Sequence, residues 1–253
     1  MPNEPDIVIP ADDHLVWIRR AEIRFGVPGV SGFVDTRSVP SDEHGIDSLI
    51  WAAAVIPNSH RCLLYNAERS TFVLVDWQHE TVEETPLAMG SGVSIASMAA
   101  LEDRLFVMVQ DLDKMTDSLQ ELRGSSLEPV VVGGIDIWHS IKWPLSLRLA
   151  ALNGKLLMYE PIDGRLWSWS TDSATVPDSV HLGLDAVIGL GQPGRLWTAQ
   201  QTSEGSVRRL DRPAPPVPFK TPSGQPIAGV VEHRDQLWAV DELGNWLLLS
   251  ASA

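Results

Sequence analysis

Val230-Val231-Glu232-His233-Arg234-Asp235-Gln236-Leu237-Trp238 is the stretch whose reading decides the fold. It is an apolar run, a polar turn, and a Leu that opens a second apolar run. The same pattern occurs in Gly189-Leu190-Gly191-Gln192-Pro193-Gly194-Arg195-Leu196-Trp197, and again in Ala150–Met158, Ala99–Val107, Val55–Leu64 and Val8–Trp17. The last two share Val-Ile-Pro. Leu15, Cys62, Leu105, Leu156, Leu196 and Leu237 anchor the second run in each copy, at spacings of 47, 43, 51, 40 and 41 residues. A fixed period of this size marks a repeat architecture, in which each copy is one supersecondary unit.

Helix-pair solenoids and bladed β-folds share a period near 44 residues, so local chemistry must choose between them. After each anchor the apolar run is short and ends in a turn, as in Gly164 before Arg165-Leu166-Trp167-Ser168-Trp169 and Gly244 before Asn245-Trp246-Leu247-Leu248-Leu249. Short apolar runs joined by Gly-bearing turns are hairpins, whereas a helix needs ten or more periodic residues and caps. The run before each anchor is poor in bulk, as in Ala52-Ala53-Ala54-Val55 and Ser97-Met98-Ala99-Ala100. Small side chains suit innermost strands that converge on an axis. The expectation is an all-β single domain over residues 1–253: a β-propeller of six blades of about 44 residues, with a five-bladed ring as the alternative. Val130-Val131-Val132 and Pro216-Val217-Pro218-Phe219 are expected outer strands. Asp113–Leu122 breaks the pattern, because Met115, Leu119 and Leu122 fall at helical spacing and predict a short helix.

Gly194-Arg195-Leu196-Trp197-Thr198-Ala199 and Asp235-Gln236-Leu237-Trp238-Ala239-Val240 resemble blades of the β-propeller superfamily, in the kelch or quinoprotein style. The resemblance covers most of the chain at the level of fold. The paired glycines of kelch blades occur only as Gly133-Gly134, at a different place, and no Asp-box or strand-ending Trp-Asp is present. Propellers host both binding modules and enzymes, so the resemblance carries no catalytic residue across.

Composition excludes some functions. The 33 Asp+Glu against 19 Lys+Arg give a net charge of −14. Binding to nucleic acid or to an anionic membrane needs clustered cations, so neither is expected as a partner. An acidic, Pro-containing start and the lack of a long apolar run make a cytoplasmic protein the simplest reading. Cys62 stands alone among anchor leucines, as a small buried hydrophobe. No motif calls for a metal or a cofactor. Oligomeric state is not legible.

Candidate site residues lie where an outer strand returns to the next inner strand, since loops on a rigid frame carry function. Gly45-Ile46-Asp47, Gly134-Ile135-Asp136 and Gly183-Leu184-Asp185 recur there, with His44, His139 and His181 nearby. These Asp side chains either cap turns or face a ligand. Gly133–Pro144 adds Trp138, Lys142 and Trp143, and exposed Trp beside polar groups suits a partner hot spot or a sugar. The expected function is a rigid binding module that recognises a protein partner or small ligand through Asp47, Asp136, Trp138, His139, Lys142, Trp143 and Asp185. Whether the chain is an enzyme stays open. The enzyme alternative is a cofactor-free lyase, cyclase or hydrolase with His139, His181, His44 or Asp136 in acid–base roles. A lectin is a third reading. The other eight Trp are expected in strand cores, His14, His60 and His233 in solvated turns, and the acidic run Glu80–Glu84 on a solvated outer edge.

Overall fold

The computed structural model describes residues 7–11, 13–19, 22–37, 50–56, 59–79, 81–87, 89–90, 92–114, 116–130, 148–160, 164–170, 178–183, 186–191 and 195–251. They form 23 strands, with no helix among them. The first four sheets are antiparallel meanders of four strands each. These are β1 (Ile7–Ala11), β2 (His14–Arg19), β3 (Glu22–Gly29) and β4 (Gly32–Arg37); β5 (Ile50–Ile56), β6 (Arg61–Asn66), β7 (Thr71–Asp76) and β8 (Thr81–Pro86); β9 (Val93–Leu101), β10 (Arg104–Asp111), β11 (Thr116–Arg123) and β12 (Ser126–Pro129); and β13 (Arg148–Leu152), β14 (Lys155–Glu160), β15 (Arg165–Ser170) and β16 (Asp178–His181). The fifth sheet has seven strands: β17 (Ala186–Gly191), β18 (Arg195–Gln200), β19 (Glu204–Arg209), β20 (Val217–Lys220), β21 (Ile227–His233), β22 (Gln236–Asp241) and β23 (Trp246–Ala251). Its order is β20-β19-β18-β17-β21-β22-β23, two meanders joined by the single parallel pair Leu190↔Val231.

Every run expected before an anchor is the first strand of a meander, and every anchor lies on the second. The hairpin joining them follows from turn chemistry. Asn153-Gly154 supplies the two positive φ angles, 50° and 71°, that a two-residue hairpin needs. The last repeat makes the same turn from Arg234 and Asp235, at 51° and 57°. Side chains there carry a penalty of roughly 1 kcal/mol per residue, so this turn needs support from outside the hairpin.

The core lies between meanders and follows the strand period of two. On β10, Phe106 and Met108 face one neighbour, packing with Leu149, Leu156, Met158 and Trp169. Val107 and Val109 face the other, packing with Ala52, Ala54, Tyr65 and Phe72. On β22, Leu237 and Ala239 join Val187, Trp197 and Phe219, while Trp238 and Val240 join Val8, Leu15, Trp17 and Trp246. β10 and β22 are thus apolar on both faces. This is why the sequence shows continuous apolar runs and not clean alternation.

The chain divides into two units, Met1–Val39 with Leu182–Ala253, and Pro40–His181. In the first, meander β1–β4 packs on β21–β23, where Trp17 meets Trp246 edge-on at 5.2 Å and Phe33 stacks on Trp246 at 5.3 Å. Gly189 and Gly191 let β17 approach β21: a Cβ on Gly189 would stand 2.6 Å from the Val230 carbonyl oxygen, and one on Gly191 2.6 Å from Glu232 Cβ. In the second unit, Ser97 Oγ accepts from Leu149 N at 2.9 Å, tying the inner strand of one meander to that of the next.

Three expectations are corrected. Thr116–Arg123 is strand β11 and not a helix. Its inward residues are Asp117, Leu119 and Glu121, so two acids on the buried face conceal the alternation, and Arg104 and Arg123 compensate Glu121. The outer strand of the third repeat is Ser126–Pro129, with Val130 buried just beyond it and Val131 and Val132 outside the described residues. His14 and His233 are buried, at 2% and 6% exposure, and only His60 is a solvated turn residue. Cys62 is buried as expected, and burial pushes its thiol pKa up. Trp17, Trp77, Trp169, Trp197, Trp238 and Trp246 are core residues, and Trp167 packs against the cluster that holds Trp169. Trp77 occupies the turn after β7 and not the strand. The acidic Thr81–Pro86 is the exposed outermost strand β8.

Candidate functional site

The residues expected at the channel mouth fall mostly outside the described residues: Asp47 and His44 within 38–49, Asp136, Trp138, His139, Lys142 and Trp143 within 131–147, and Asp185 within 184–185. His181 is described. It ends β16 opposite Arg165 and is exposed. The segment leading to Asp185 is anchored, because Gln200 Nε2 donates to the Leu182 carbonyl at 3.0 Å and Gly183 holds a φ of 96° beneath it. The scaffold therefore fixes where that loop leaves the sheet.

The turns carry a second device. Asp76 Oδ1 accepts from the backbone N–H groups of Gln78 and His79 at 3.0 Å, and Asp76 Oδ2 lies 3.0 Å from both His79 Nδ1 and Arg61 Nε. The His79 contact, then the backbone and Arg61, hold this carboxyl well below the usual range. Asp241 does the same at the β22–β23 turn, accepting from Leu243 N and Asn245 N at 2.9 and 2.8 Å. These acids are turn caps.

A polar group built around buried Glu232, His14 and His233 lies where β1–β4, β17–β20 and β21–β23 meet. Glu232, with a side chain 1% exposed, is ion-paired to Arg195 and accepts from Trp197 Nε1 at 2.8 Å. Arg195 also reaches Asp235 at 3.2 Å, and Arg234 donates to the Asp13 carbonyl at 3.0 Å. Those two contacts support the strained Arg234-Asp235 turn. His14 Nδ1 lies 3.0 Å from Asp13 Oδ1, and this bond lowers the Asp13 pKa. Burial, with the neighbouring Arg234 guanidinium adding to it, brings His233 down to about 4. Its imidazole is therefore neutral at pH 7, and its Nε2 is buried without a hydrogen-bond partner among the described residues. Chemically, the group is a clasp with a proton-sensitive imidazole. Among the described residues no three His, Cys, Asp or Glu come together to hold a metal ion. Sequence reading missed this group because Glu232, His233, Arg234 and Asp235 look like one solvated turn. The available signal was Gly189-Leu190-Gly191, whose alternate glycines mark a close backbone approach.

Comparison with known proteins fits this geometry. No protein-family model matches the chain, and no curated protein matches it. Solved structures do. The Cps50 (Swd1) β-propeller domain of Myceliophteria thermophila aligns at TM-score 0.58 and 9% identity, covering 100% of this chain and 98% of that one. A virginiamycin B lyase from Staphylococcus aureus, solved with quinupristin, aligns at 0.55 and 12%, covering 97% and 81%. A chain of a nidogen/laminin complex aligns at 0.58 and 11%, covering 96% and 89%. The chain is a β-propeller. At such identities the likeness defines the fold and carries no residue role.

Proposed function

We propose that the chain is one six-bladed propeller domain that acts as a binding module, with β21–β23 as the sixth blade. It recognises a protein partner or small ligand through the loops that run from one meander to the next. The contact residues are Asp47, Asp136, Trp138, His139, Lys142, Trp143 and Asp185. The observation that carries this reading is the commitment of the buried acids to the frame. Asp76 and Asp241 cap turns, Glu121 is forked by Arg104 at 3.1 and 2.8 Å, and Glu232 is held by Arg195 and Trp197. Strands whose charged groups are spent on rigidity leave recognition to the loops. A net charge of −14 favours a basic partner.

The test uses the full chain and a Trp138→Ala/Trp143→Ala/Asp136→Ala variant as affinity baits, compared by quantitative mass spectrometry. A partner retained by the parent and lost at least tenfold by the variant, at an unchanged melting temperature, supports the reading. Equal retention of every protein and metabolite by both baits would sink it.

A further inference from the structure

The last meander, β21–β23, has a neighbour on each face, and the two joints differ. On one face Trp197 donates its indole N–H to Glu232 at 2.8 Å, Arg195 pairs with the same carboxylate, and β21 meets β17 backbone to backbone at Leu190↔Val231. On the other face lies the first meander. β1–β4 form a sheet of their own, so among the described residues side chains and not a shared ladder hold this seam. Val8, Leu15 and Trp17 form one wall of it, and Trp238, Val240 and Trp246 the other. Arg234 donates to the Asp13 carbonyl at one end, and Arg19 to the Glu242 carbonyl at the other.

The seam encloses polar atoms that it does not satisfy. Trp238 Nε1 and Trp246 Nε1 are buried there, and His233 Nε2 at its hairpin end, without a hydrogen-bond partner among the described residues. A buried polar atom left unpaired has lost its hydration, and entering water restores it. Apolar area therefore closes the seam against three atoms that favour opening it. The charged groups around His233 give that balance a direction. Arg234 belongs to its own turn, Asp13 and His14 come from the first meander and bond each other, and Glu232 and Asp235 are both taken by Arg195 of β18. Each of these carboxylates thus has a partner, and His233 Nε2 faces no acceptor. A proton on His233 would sit uncompensated beside Arg234 in the closed seam, whereas water solvates it in an open one. Burial and the Arg234 guanidinium accordingly hold the imidazole pKa down at about 4.

We propose that the seam between the first and last meanders is an acid-operated latch, closed at neutral pH and parting locally in mild acid, so that the aromatic walls of Trp17, Trp238 and Trp246 meet water while residues 40–181 keep their fold. Protons bind the open form more tightly than the closed one, so acid draws the equilibrium towards opening. The joint with β17–β18 stays shut, because its indole and its carboxylate are already paired. None of the loop residues proposed for recognition above takes part in the latch, and the two readings stand or fall separately.

The test reads indole N–H exchange by NMR on the full chain at about pH 7 and about pH 5, each rate taken relative to free N-acetyltryptophanamide at the same pH. Trp238 and Trp246 are expected to exchange about tenfold faster at the lower pH. Trp169, buried in the other unit, should not change. His233→Gln keeps a polar side chain that does not titrate, so it should abolish the gain while leaving the neutral-pH rate as it was. Val240→Cys gives a second reading, since Val240 is buried in the seam and the native Cys62 is buried in the other unit. Dithiodipyridine should label the introduced thiol about tenfold faster in mild acid and leave Cys62 unchanged. Equal gains at Trp169 or Cys62 would mean global unfolding and would overturn the latch. So would equal seam exchange at both pH values, or a gain that survives His233→Gln. A His233→Gln chain already open at neutral pH would show that the imidazole holds the seam by packing alone, which also overturns it.

Discussion

Residues 40–181 carry 20 Asp and Glu against 9 Lys and Arg, whereas residues 1–39 and 182–253 carry 13 against 10. The two units also spend their charges differently. In the first, ion pairs run within single meanders: Arg61 to Asp76, Arg69 to Glu84, Arg104 to Glu121 and Arg123 to Glu128. The contacts between its meanders are apolar, joined by the Ser97–Leu149 bond. In the second, Arg24–Asp35, Arg209–Asp211 and Lys220–Glu204 are likewise local, but among the described residues charge also crosses from one meander to another. Arg195 reaches Glu232 and Asp235, Arg234 reaches the Asp13 carbonyl, and Arg19 reaches the Glu242 carbonyl. A unit assembled from both ends of the chain thus adds directional bonds, the Glu232 pair among them with its carboxylate buried, to the apolar packing that both units use. Directional bonds fix a register that apolar contact alone leaves degenerate, although they are costly when broken.

The largest expected effect removes the aromatic part of that joint. Trp246→Ala leaves Trp17 and Phe33 facing a cavity and should cost about 3–5 kcal/mol. Hydrogen exchange should rise across β1–β4 and β21–β23 and stay unchanged across β9–β16. A uniform rise would erase the distinction between the units. Next comes Glu232→Gln, which leaves Arg195 without its buried partner and should cost about 3 kcal/mol by denaturant unfolding. Glu121→Gln is the matched change in the other unit. It should cost about 1 kcal/mol, because Arg104 and Arg123 stay accessible to water. Equal costs would break the comparison.

The difference between the units was only half legible in the sequence. The anchors at Leu15, Cys62, Leu105, Leu156, Leu196 and Leu237 each fell on the second strand of a described meander, because burying a repeated apolar position leaves a period that survives any change of turn. β11 was misread because Asp117 and Glu121 point inward and disguise a strand as a helix. His14 and His233 were misread because their burial depends on a meeting of residues more than 200 positions apart. A turn looks solvated until another meander covers it, and local composition holds no trace of that cover. The loops carrying Asp47, Asp136, Trp138, His139, Lys142, Trp143 and Asp185 stand as sequence expectations, and only the anchoring of Leu182-Gly183, before Asp185, is structural.

Acid separates the two units by window. His233 titrates near 4 when folded, against about 6.5 in an unfolded chain. The folded state therefore binds fewer protons, and its stability falls as pH drops from about 6.5 towards 4. His233→Gln should flatten that limb. The carboxyls of Asp76 and Glu121 are held low by His79 and by Arg104 respectively, so residues 40–181 should keep their stability through this window and lose it only below the ordinary carboxylate range. Urea midpoints between pH 7 and 3.5, read by exchange at β21 and at β10, would separate the two. Loss at both strands between 6.5 and 5 would refute the assignment.

The smallest effect on stability tests the surplus charge itself. Glu68, Glu83, Glu102 and Asp103 are exposed and belong to the acid-rich unit. Changing all four to amides should shift unfolding by less than about 0.5 kcal/mol, since exposed charges away from caps and cores contribute little. The same change should slow association with a polylysine probe and flatten its dependence on salt, because steering follows net charge and not packing. A stability loss of several kcal/mol would instead mean that the acids of residues 40–181 hold meanders together, as Glu232 does in the other unit. An unchanged salt dependence would mean that the excess negative charge acts no more strongly on a cationic partner than the near-balanced charge of residues 1–39 and 182–253.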